Sequence, residues 1–492
     1  MELTKSEKQA IEEYLARKGL PSGSALTFDD VAIPDRYSTV RSRSEIRDFR
    51  SYLTNSFHLN IPIVSSNMES VTGAEMAIAL AREGGLGFLP QMVPLEARLE
   101  MIRKIKRTDC AFIEKPLTIG PEKTLHDAKC LMQETGISSL VVVDKSFRPV
   151  GILSTRDWKY EKNEKVKVRD LMGGKKKLIV MPGSVKFEKA ATMLRANKVE
   201  KLPLVDKKGK LTGLITAHGL FYTMHYPRAL RDDQGRFLAA ASIGVGRMFE
   251  KRHLKEVELQ LKEGASILLI DTARAFSVNA VEALKAIKKT FPKLPVVIGN
   301  VCTPEGAKLL FENGADAVKV NQGRGHVCRT SEMGVGIPQL TAIAKCSVIA
   351  KQYGGKIVGD GGMKNVGDMV KALAAGADVL MTGYLLVGTN ESAAQTYVNR
   401  RGLPVKNYEG SASFHAQAKR ITRGNLDRLR RPEGVTEEVP VVGSVAEKIE
   451  DMLNAFRSAM SYSGVRTIKE LQEDVVFEKQ TRAGLVEGTK GE

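Results

Sequence analysis

The chain has 492 residues, of which 42% are hydrophobic and 27% charged, and it carries a formal net charge of +18. At about 150 residues per domain this fits two to four domains of ordinary soluble composition. There is no run of about 18 apolar residues, so a transmembrane helix is excluded. The positive charge is spread along the chain without interleaved aromatic residues. It reads as a general field, and nucleic acid is not expected as a main partner. The five cysteines, Cys110, Cys130, Cys302, Cys328 and Cys346, are odd in number and lack Cys-x-x-Cys spacing. Neither a disulfide framework nor a zinc site is indicated, and a reducing, cytoplasmic setting is expected. The charged N-terminus lacks the apolar core of a secretory signal.

Taken in chain order, Ile61–Ser65 and Leu86–Leu89 read as the first buried strands. Residues 111–231 then form an internal repeat. GISSLVVVDKSFRPVGILSTRDW aligns with VEKLPLVDKKGKLTGLITAHGLF, so that Asp144 matches Asp206, Gly151 matches Gly213 and Ser154 matches Thr216, each 62 residues on. Beyond the repeat the strand candidates are Ala239–Ile243, Ile267–Ile270, Pro295–Ile298, Ala317–Val320, Lys356–Gly359 and Asp378–Met381. Gly-Ala pairs at Gly264, Gly314 and Gly376 each follow a helical stretch and precede a strand-like run, in a repeating βα pattern. Eight strands with the repeat set aside predict an α/β fold, a (β/α)8 barrel. The expected boundaries are 1–110 for the first part of the barrel, 111–231 for the insertion and 232–492 for the remainder.

In such a barrel, chemistry belongs to the loops after the strands. The seventh and eighth loops carry Gly361, Gly362 and Gly383, which permit the close backbone approach that a phosphate needs. The sixth loop is glycine-rich and places Cys328 at the barrel mouth. Arg324, Arg329 and His326 are expected around it as groups that favour the nucleophilic thiolate.

The repeat, with a strand–turn–strand–helix unit in each copy, resembles a tandem CBS-domain pair. Such pairs bind purine nucleotides in their clefts through a Ser or Thr followed by an Asp that holds the ribose. The resemblance points to Ser154, Thr155 and Asp157 in the first copy and to Thr216 in the second. Gly219 stands where the second Asp belongs, so one site is expected to be weak or lost. A pair that only mediates oligomer contacts is the alternative.

The whole chain resembles the IMP dehydrogenase/GMP reductase family. LTFDDVAIP, IPIVSSNM, EGGLGFLPQ, GNVCT, GRGHVCRTSEMGVGIPQ, DGGMKNVGDMVKALAAGAD and the tail GSVAEKIEDMLNAFRSAMSYSGVRTIKEL follow in family order. The resemblance implies that Cys328 attacks purine C2 and that hydride passes between the nucleotide and a nicotinamide cofactor. It assigns Ser66, Met68, Asp360, Gly361, Gly362, Gly383, Tyr408 and Gly410 to the nucleotide, with Asp360 on the ribose. Asp271, Thr272, Ala273 and Asn300 fall on the cofactor side. Thr330 and Glu433 match the family's proton-handling pair. The carbonyls of Gly323, Gly325 and Cys328 match its site for a monovalent cation, K+. It also implies ATP or GTP as regulatory ligands and a homo-tetramer or octamer.

Several positions depart from the family pattern. Arg324 and His326 replace a Pro and a Ser of the catalytic loop, and Tyr384 replaces a Ser after the eighth strand. Pairing of Arg324 or His326 with phosphate would compensate; otherwise the pocket holds a different nucleotide. A dehydrogenase needs an Arg-Tyr flap to activate water. Arg420 suits the arginine, but Ile421 stands in the place of the tyrosine. Asn67 and Leu89–Gln91 also look more like a reductase. The expected activity is therefore GMP reductase with NADPH, and the alternatives are an IMP dehydrogenase using NAD or a catalytically altered member.

Overall fold

A computed structural model of the chain describes residues 2–172, 178–183, 185, 187–246, 249–414 and 434–488. It divides into two compact units. One comprises Met1–Lys106, Arg228–Leu230 and Leu238–Glu492, and the other Arg107–Pro227 and Arg231–Phe237.

The first unit is an eight-stranded parallel barrel. Its strands are β1 (Ile63–Ser65), β2 (Leu86–Gly87), β3 (Ala240–Ile243), β4 (Ile267–Asp271), β5 (Val296–Val301), β6 (Ala317–Val320), β7 (Lys356–Asp360) and β8 (Val379–Thr382). Each pairs in parallel with the next, and β8 pairs with β1. A parallel bridge from Phe88 to Ala240 closes the ring. All eight expected strands are present. Four end later than expected, and in three of these Asp271, Asn300 and Asp360 therefore lie on strands and not in loops.

The strand sequences explain the closure. Alternate residues of a strand face opposite sides, and in a barrel both sides are covered, which favours unbroken apolar runs such as Ile267–Ile270. Val64, Ala240, Ile267, Leu269, Val297, Ala317, Val358, Val379 and Met381 share one buried cluster inside the ring. Leu53, Phe57 and Leu59 join that cluster from an antiparallel hairpin, Ser51–Thr54 with Phe57–Leu59. The hydroxyl of Ser51 donates to the carbonyl of Asp378, just before β8, so the hairpin plugs the end of the barrel where the strands begin. The Gly-Ala pairs act as expected. Gly264, Gly314 and Gly376 have φ of 105°, 94° and 110°, a region open to glycine at little cost. Each turns the chain from a helix into the next strand.

A three-stranded antiparallel sheet, Thr396–Val398, Pro404–Glu409 and Thr436–Pro440, belongs to the same unit. Among the described residues no helix is long and apolar enough to cross a membrane.

The second unit contains the repeat. In the first copy Thr118–Ile119 pairs in parallel with Ser139–Val143, which forms a hairpin with Pro149–Ser154. In the second, Met181–Pro182 pairs in parallel with Lys201–Val205, which forms a hairpin with Leu211–Thr216. The two hairpins match in detail. Both are bulged at the same place, Val142/Val143 and Leu204/Val205. Both turns are held by an aspartate: Asp144 accepts from the amides of Ser146 and Arg148, and Asp206 from those of Lys208 and Lys210. Val141 and Val143 of one copy pack on Leu211 and Leu214 of the other.

Candidate active site

A cleft of about 650 Å³ opens at the C-terminal ends of the barrel strands. The described residues expected to bind substrate, cofactor or cation at the barrel all line it. Arg420 and Glu433 lie outside the described residues.

At its floor lies a network not anticipated from the sequence. Lys319 on β6 is 4% exposed. Its ammonium reaches Asp271 Oδ1 at 3.0 Å and Asp360 Oδ2 at 2.8 Å. Burial by itself would lower the pKa of Lys319, but the two carboxylates outweigh it and hold the group well above the ordinary lysine value. Asn300 Nδ2 donates to the same oxygen of Asp360 at 3.0 Å, and Gln91 Nε2 to Asp271 Oδ2 at 3.2 Å. The expected cofactor residues Asp271 and Asn300 and the expected ribose residue Asp360 thus form one network. A lysine inside the otherwise apolar strand AVKV is the sequence signal for it, since a charge is buried there only if paired.

The sixth loop leaves β6 at Asn321, whose Oδ1 accepts from the amide of Arg324 at 3.1 Å. The amide of Cys328 donates to the Gly325 carbonyl at 3.0 Å. The thiol of Cys328 lies 3.3 Å from the hydroxyl of Thr330. Cys328 is half-buried and forms a backbone bridge with Gly434, and the amide of Val435 donates to the Val327 carbonyl at 3.0 Å.

The cations expected around the thiol are engaged elsewhere. Arg329 lies 3.4 Å from Glu332 and is half-exposed. Arg324 donates to the carbonyl of Ile337 at 3.4 Å. His326 is 2.9 Å from Glu437 and stacks on Tyr384 with ring centroids 3.8 Å apart. Sequence proximity placed these groups near Cys328, but the loop turns their side chains toward other partners.

At the opposite wall, Gly361 and Gly362 both have positive φ, 68° and 76°. A Cβ at Gly383 would lie 2.5 Å from the hydroxyl of Tyr408 and 2.7 Å from that of Ser66. Glycine is required there by close approach. Tyr408 donates to the sulfur of Met68 at 3.5 Å. Its pKa is pushed above the usual tyrosine value by burial, with Asp360 and Glu437 adding to the effect. Among the described residues Ser66 Oγ and Gln91 Oε1 are buried without a hydrogen-bond partner. Buried polar atoms of this kind are ordinarily satisfied, so in a cleft they point to a ligand.

The remaining candidates belong to the second unit. Asp157 accepts from the amide and hydroxyl of Ser154 at 2.6 and 2.7 Å, forming a capping box on the helix Thr155–Trp158. Thr155 is exposed. Thr216 accepts from the amide of Gly219 at 3.1 Å. A Cβ at Gly219 would lie 2.1 Å from the carbonyl oxygen of Cys110, so this backbone admits no side chain where the second copy would need its aspartate.

Residues 25–490 match the family model described as "IMP dehydrogenase / GMP reductase domain". The chain is 40% identical over 466 residues to an inosine-5'-monophosphate dehydrogenase of Aquifex aeolicus, covering 93% of this chain and 94% of that one. It is 37% identical over 467 residues to the corresponding enzyme of Halalkalibacterium halodurans, with 94% of each covered. Among solved structures it resembles a GMP reductase of Trypanosoma brucei in complex with guanosine 5'-monophosphate. The TM-score there is 0.85 at 32% identity, covering 95% of this chain and 98% of that one. The same enzyme in complex with guanosine 5'-triphosphate aligns with a TM-score of 0.76 at 30% identity, covering 93% of this chain and 98% of that one.

Proposed function

Because the chain belongs to the IMP dehydrogenase/GMP reductase family, and is on that basis an oxidoreductase of purine nucleotides, we infer that it reduces GMP to IMP and ammonia with NADPH. The observation that carries this reading is the pairing of Cys328 with Thr330 in a cleft floored by Asp360. The likeness of nearly the whole chain to a GMP-bound reductase supports it.

In this reading Cys328 Sγ bonds to purine C2, and the exocyclic C–N bond breaks. Thr330 and Glu433 deliver the proton with which ammonia leaves; Glu433 directly precedes Gly434, the backbone partner of Cys328. NADPH supplies the hydride that C2 then takes up. The C–S bond breaks last, freeing the thiolate. GMP, NADPH and two protons become IMP, NADP+ and ammonium.

Lys319 and Asn300 both occupy Asp360 Oδ2, leaving Oδ1 for the ribose hydroxyls. Ser66, Gly361, Gly362 and Gly383 receive the nucleotide, with its phosphate at the Gly383 corner. Arg324, His326 and Tyr384 stand there in place of the family's small residues. Asp271, Thr272, Ala273 and Asn300 border the cofactor side, where Gln91 Oε1 is an unpaired acceptor suited to a carboxamide. The carbonyls of Gly323, Gly325 and Cys328 are oxygen donors of the kind K+ takes. We assign the second unit to CBS-type regulation by ATP or GTP. The first copy is its competent half, because Gly219 excludes the ribose aspartate from the second. The assembly is a homo-tetramer or octamer.

Identity of 40% to a dehydrogenase favours a second reading, oxidation of IMP to XMP with NAD. Absorbance at the nicotinamide band decides between them, using GMP with NADPH, IMP with NAD, and NADPH alone as blank. The reductase reading expects turnover only with the first pair, and turnover only with the second overturns it. Labelling of Cys328 by a 6-chloropurine nucleotide tests the nucleophile separately.

A further inference from the structure

Lys406 is one of the largest fully buried side chains, at 2% exposure. Its ammonium is surrounded by oxygen: the carbonyl of Thr389 at 2.7 Å, that of Asn390 at 3.2 Å, that of Ser392 at 3.3 Å, and the hydroxyl of Ser392 at 2.9 Å. No carboxylate is among the four. An ammonium has three protons, so four oxygens exceed what its donors need. The surround is that of an ion replacing a hydration shell with protein oxygens. The hydroxyls are arranged for the same purpose. Thr389 Oγ1 donates to the Leu386 carbonyl at 2.7 Å and Ser392 Oγ to the Val387 carbonyl at 2.6 Å. Ser392 Oγ is thereby left to accept. Burial lowers the pKa of Lys406 and Glu391 opposes it.

The location relates the cage to the cleft. Lys406 lies on the strand Pro404–Glu409, two residues before Tyr408. The cage oxygens follow directly on the helix Tyr384–Val387, which begins with Tyr384. Both tyrosines line the cleft, with ring centroids 6.3 Å apart.

We propose that Thr389, Asn390 and Ser392 form a monovalent-cation site that the chain fills with its own ammonium, Lys406, and that this tethered cation fixes the spacing of the two cleft walls bearing Tyr384 and Tyr408. Lys406 is a positioning residue. Tethering makes its occupancy independent of the surrounding salt. Without the lysine, the cage has the oxygen donors and the space to admit potassium or methylammonium. The part of the proposal concerning the cleft rests on the nucleotide reading above, while the cage itself does not.

The test uses the full chain as wild type, Lys406→Ala and Lys406→Met, melted in potassium, methylammonium and choline chloride at equal ionic strength. Wild type in each salt is the reference, which removes any potassium effect at the catalytic loop. Relative to it, Lys406→Ala is expected to gain about 3 °C or more in potassium or methylammonium over choline. Lys406→Met, which fills the space with apolar atoms, is expected to gain nothing. An alanine variant whose stability ignores the cation overturns the proposal. So does a methionine variant rescued to the same degree. If the alanine variant does not fold, reductive methylation of native wild type decides: Lys406 is expected to stay unmodified while surface lysines react, and modification at the surface rate overturns the cage. Calorimetric titration with GMP reads the cleft. The affinity of Lys406→Ala is expected to fall about tenfold in choline and to return in potassium. Cation-dependent melting in a protein whose wild type binds no GMP would refute the nucleotide reading and leave the cage standing. GMP binding by wild type, with an alanine variant indifferent to salt, would do the reverse.

Discussion

Lys319 and Gly383 show how single residues shape the cleft from opposite directions, one by charge and one by the lack of a side chain. Among the described residues, Lys319 alone forms ion pairs with both Asp271 on β4 and Asp360 on β7. Replacing it with methionine would leave two half-buried carboxylates without the cation between them. Removing one partner of a buried charge network costs about 3–5 kcal/mol. Lys319→Met is therefore expected to lower the urea midpoint strongly and to weaken nucleotide binding as Asp360 loses its orientation. An unchanged midpoint would show that the network carries no such energy. At Gly383 the expectation is different. A methyl group there displaces the hydroxyls of Tyr408 and Ser66 without touching the barrel interior. Gly383→Ala should raise KM for the nucleotide about tenfold or more, with a small change in melting temperature. Steady-state kinetics alongside a melt separates the two effects.

Among the elements, the first helix and the last strand form a clasp on the barrel. The helix Lys5–Arg17 begins with a capping box at Thr4 and Glu7. Lys18, just after its end, is fully buried, and its ammonium donates to the Val475 carbonyl at 2.7 Å. Phe477 donates back to the Lys18 carbonyl at 2.9 Å, and Glu478–Lys479 pairs with Val31–Ala32. Burial, with Arg17 and Lys351 adding to it, lowers the pKa of Lys18 to about 7. Below that value folded and unfolded chains both hold the proton, and stability does not vary with pH through this group. Between about 7 and 10.5 the unfolded chain keeps a proton that the folded chain has released. Stability then rises with pH, by up to about 1.4 kcal/mol per unit. Unfolding followed across this range should show the rise in wild type, and Lys18→Met should flatten it. A variant with the same slope as wild type would exclude Lys18 as its source.

For the molecule as a whole, the repeat and the barrel are separately cored. The second unit has its own buried clusters around Leu140, Val142 and Leu153 in one copy and Leu194, Leu202 and Leu204 in the other. Excising Arg107–Pro227 is expected to leave turnover by the barrel in place and to abolish any response to ATP or GTP. Activity titrated with each nucleotide, before and after excision, checks this. A response surviving excision would place the regulatory site elsewhere. Asp157→Ala in the full chain should weaken the response, whereas changes at Thr216 should matter less, since Gly219 leaves that copy without its aspartate.

The barrel, the repeat and Cys328 could all be read from the sequence, because each rests on a local or periodic signal. Apolar runs with Gly-Ala turns specify buried parallel strands, the 62-residue offset specifies a duplicated hairpin, and a cysteine in a glycine-rich strand-end loop specifies an accessible thiol. Other features depended on residues far apart in the chain. Lys319 meets Asp271 and Asp360 only when β6 lies between its neighbours in the closed ring. Arg324, Arg329 and His326 have sequence neighbours that suggest one role and spatial neighbours, among them Glu437 and Tyr384, that give them others. Gly219 reads as a lost ligand in sequence, but the fold shows a position where the Cys110 carbonyl leaves no room for one. Periodicity encodes which face of an element is buried; the closed barrel and the packed loops determine which charges and carbonyls meet there.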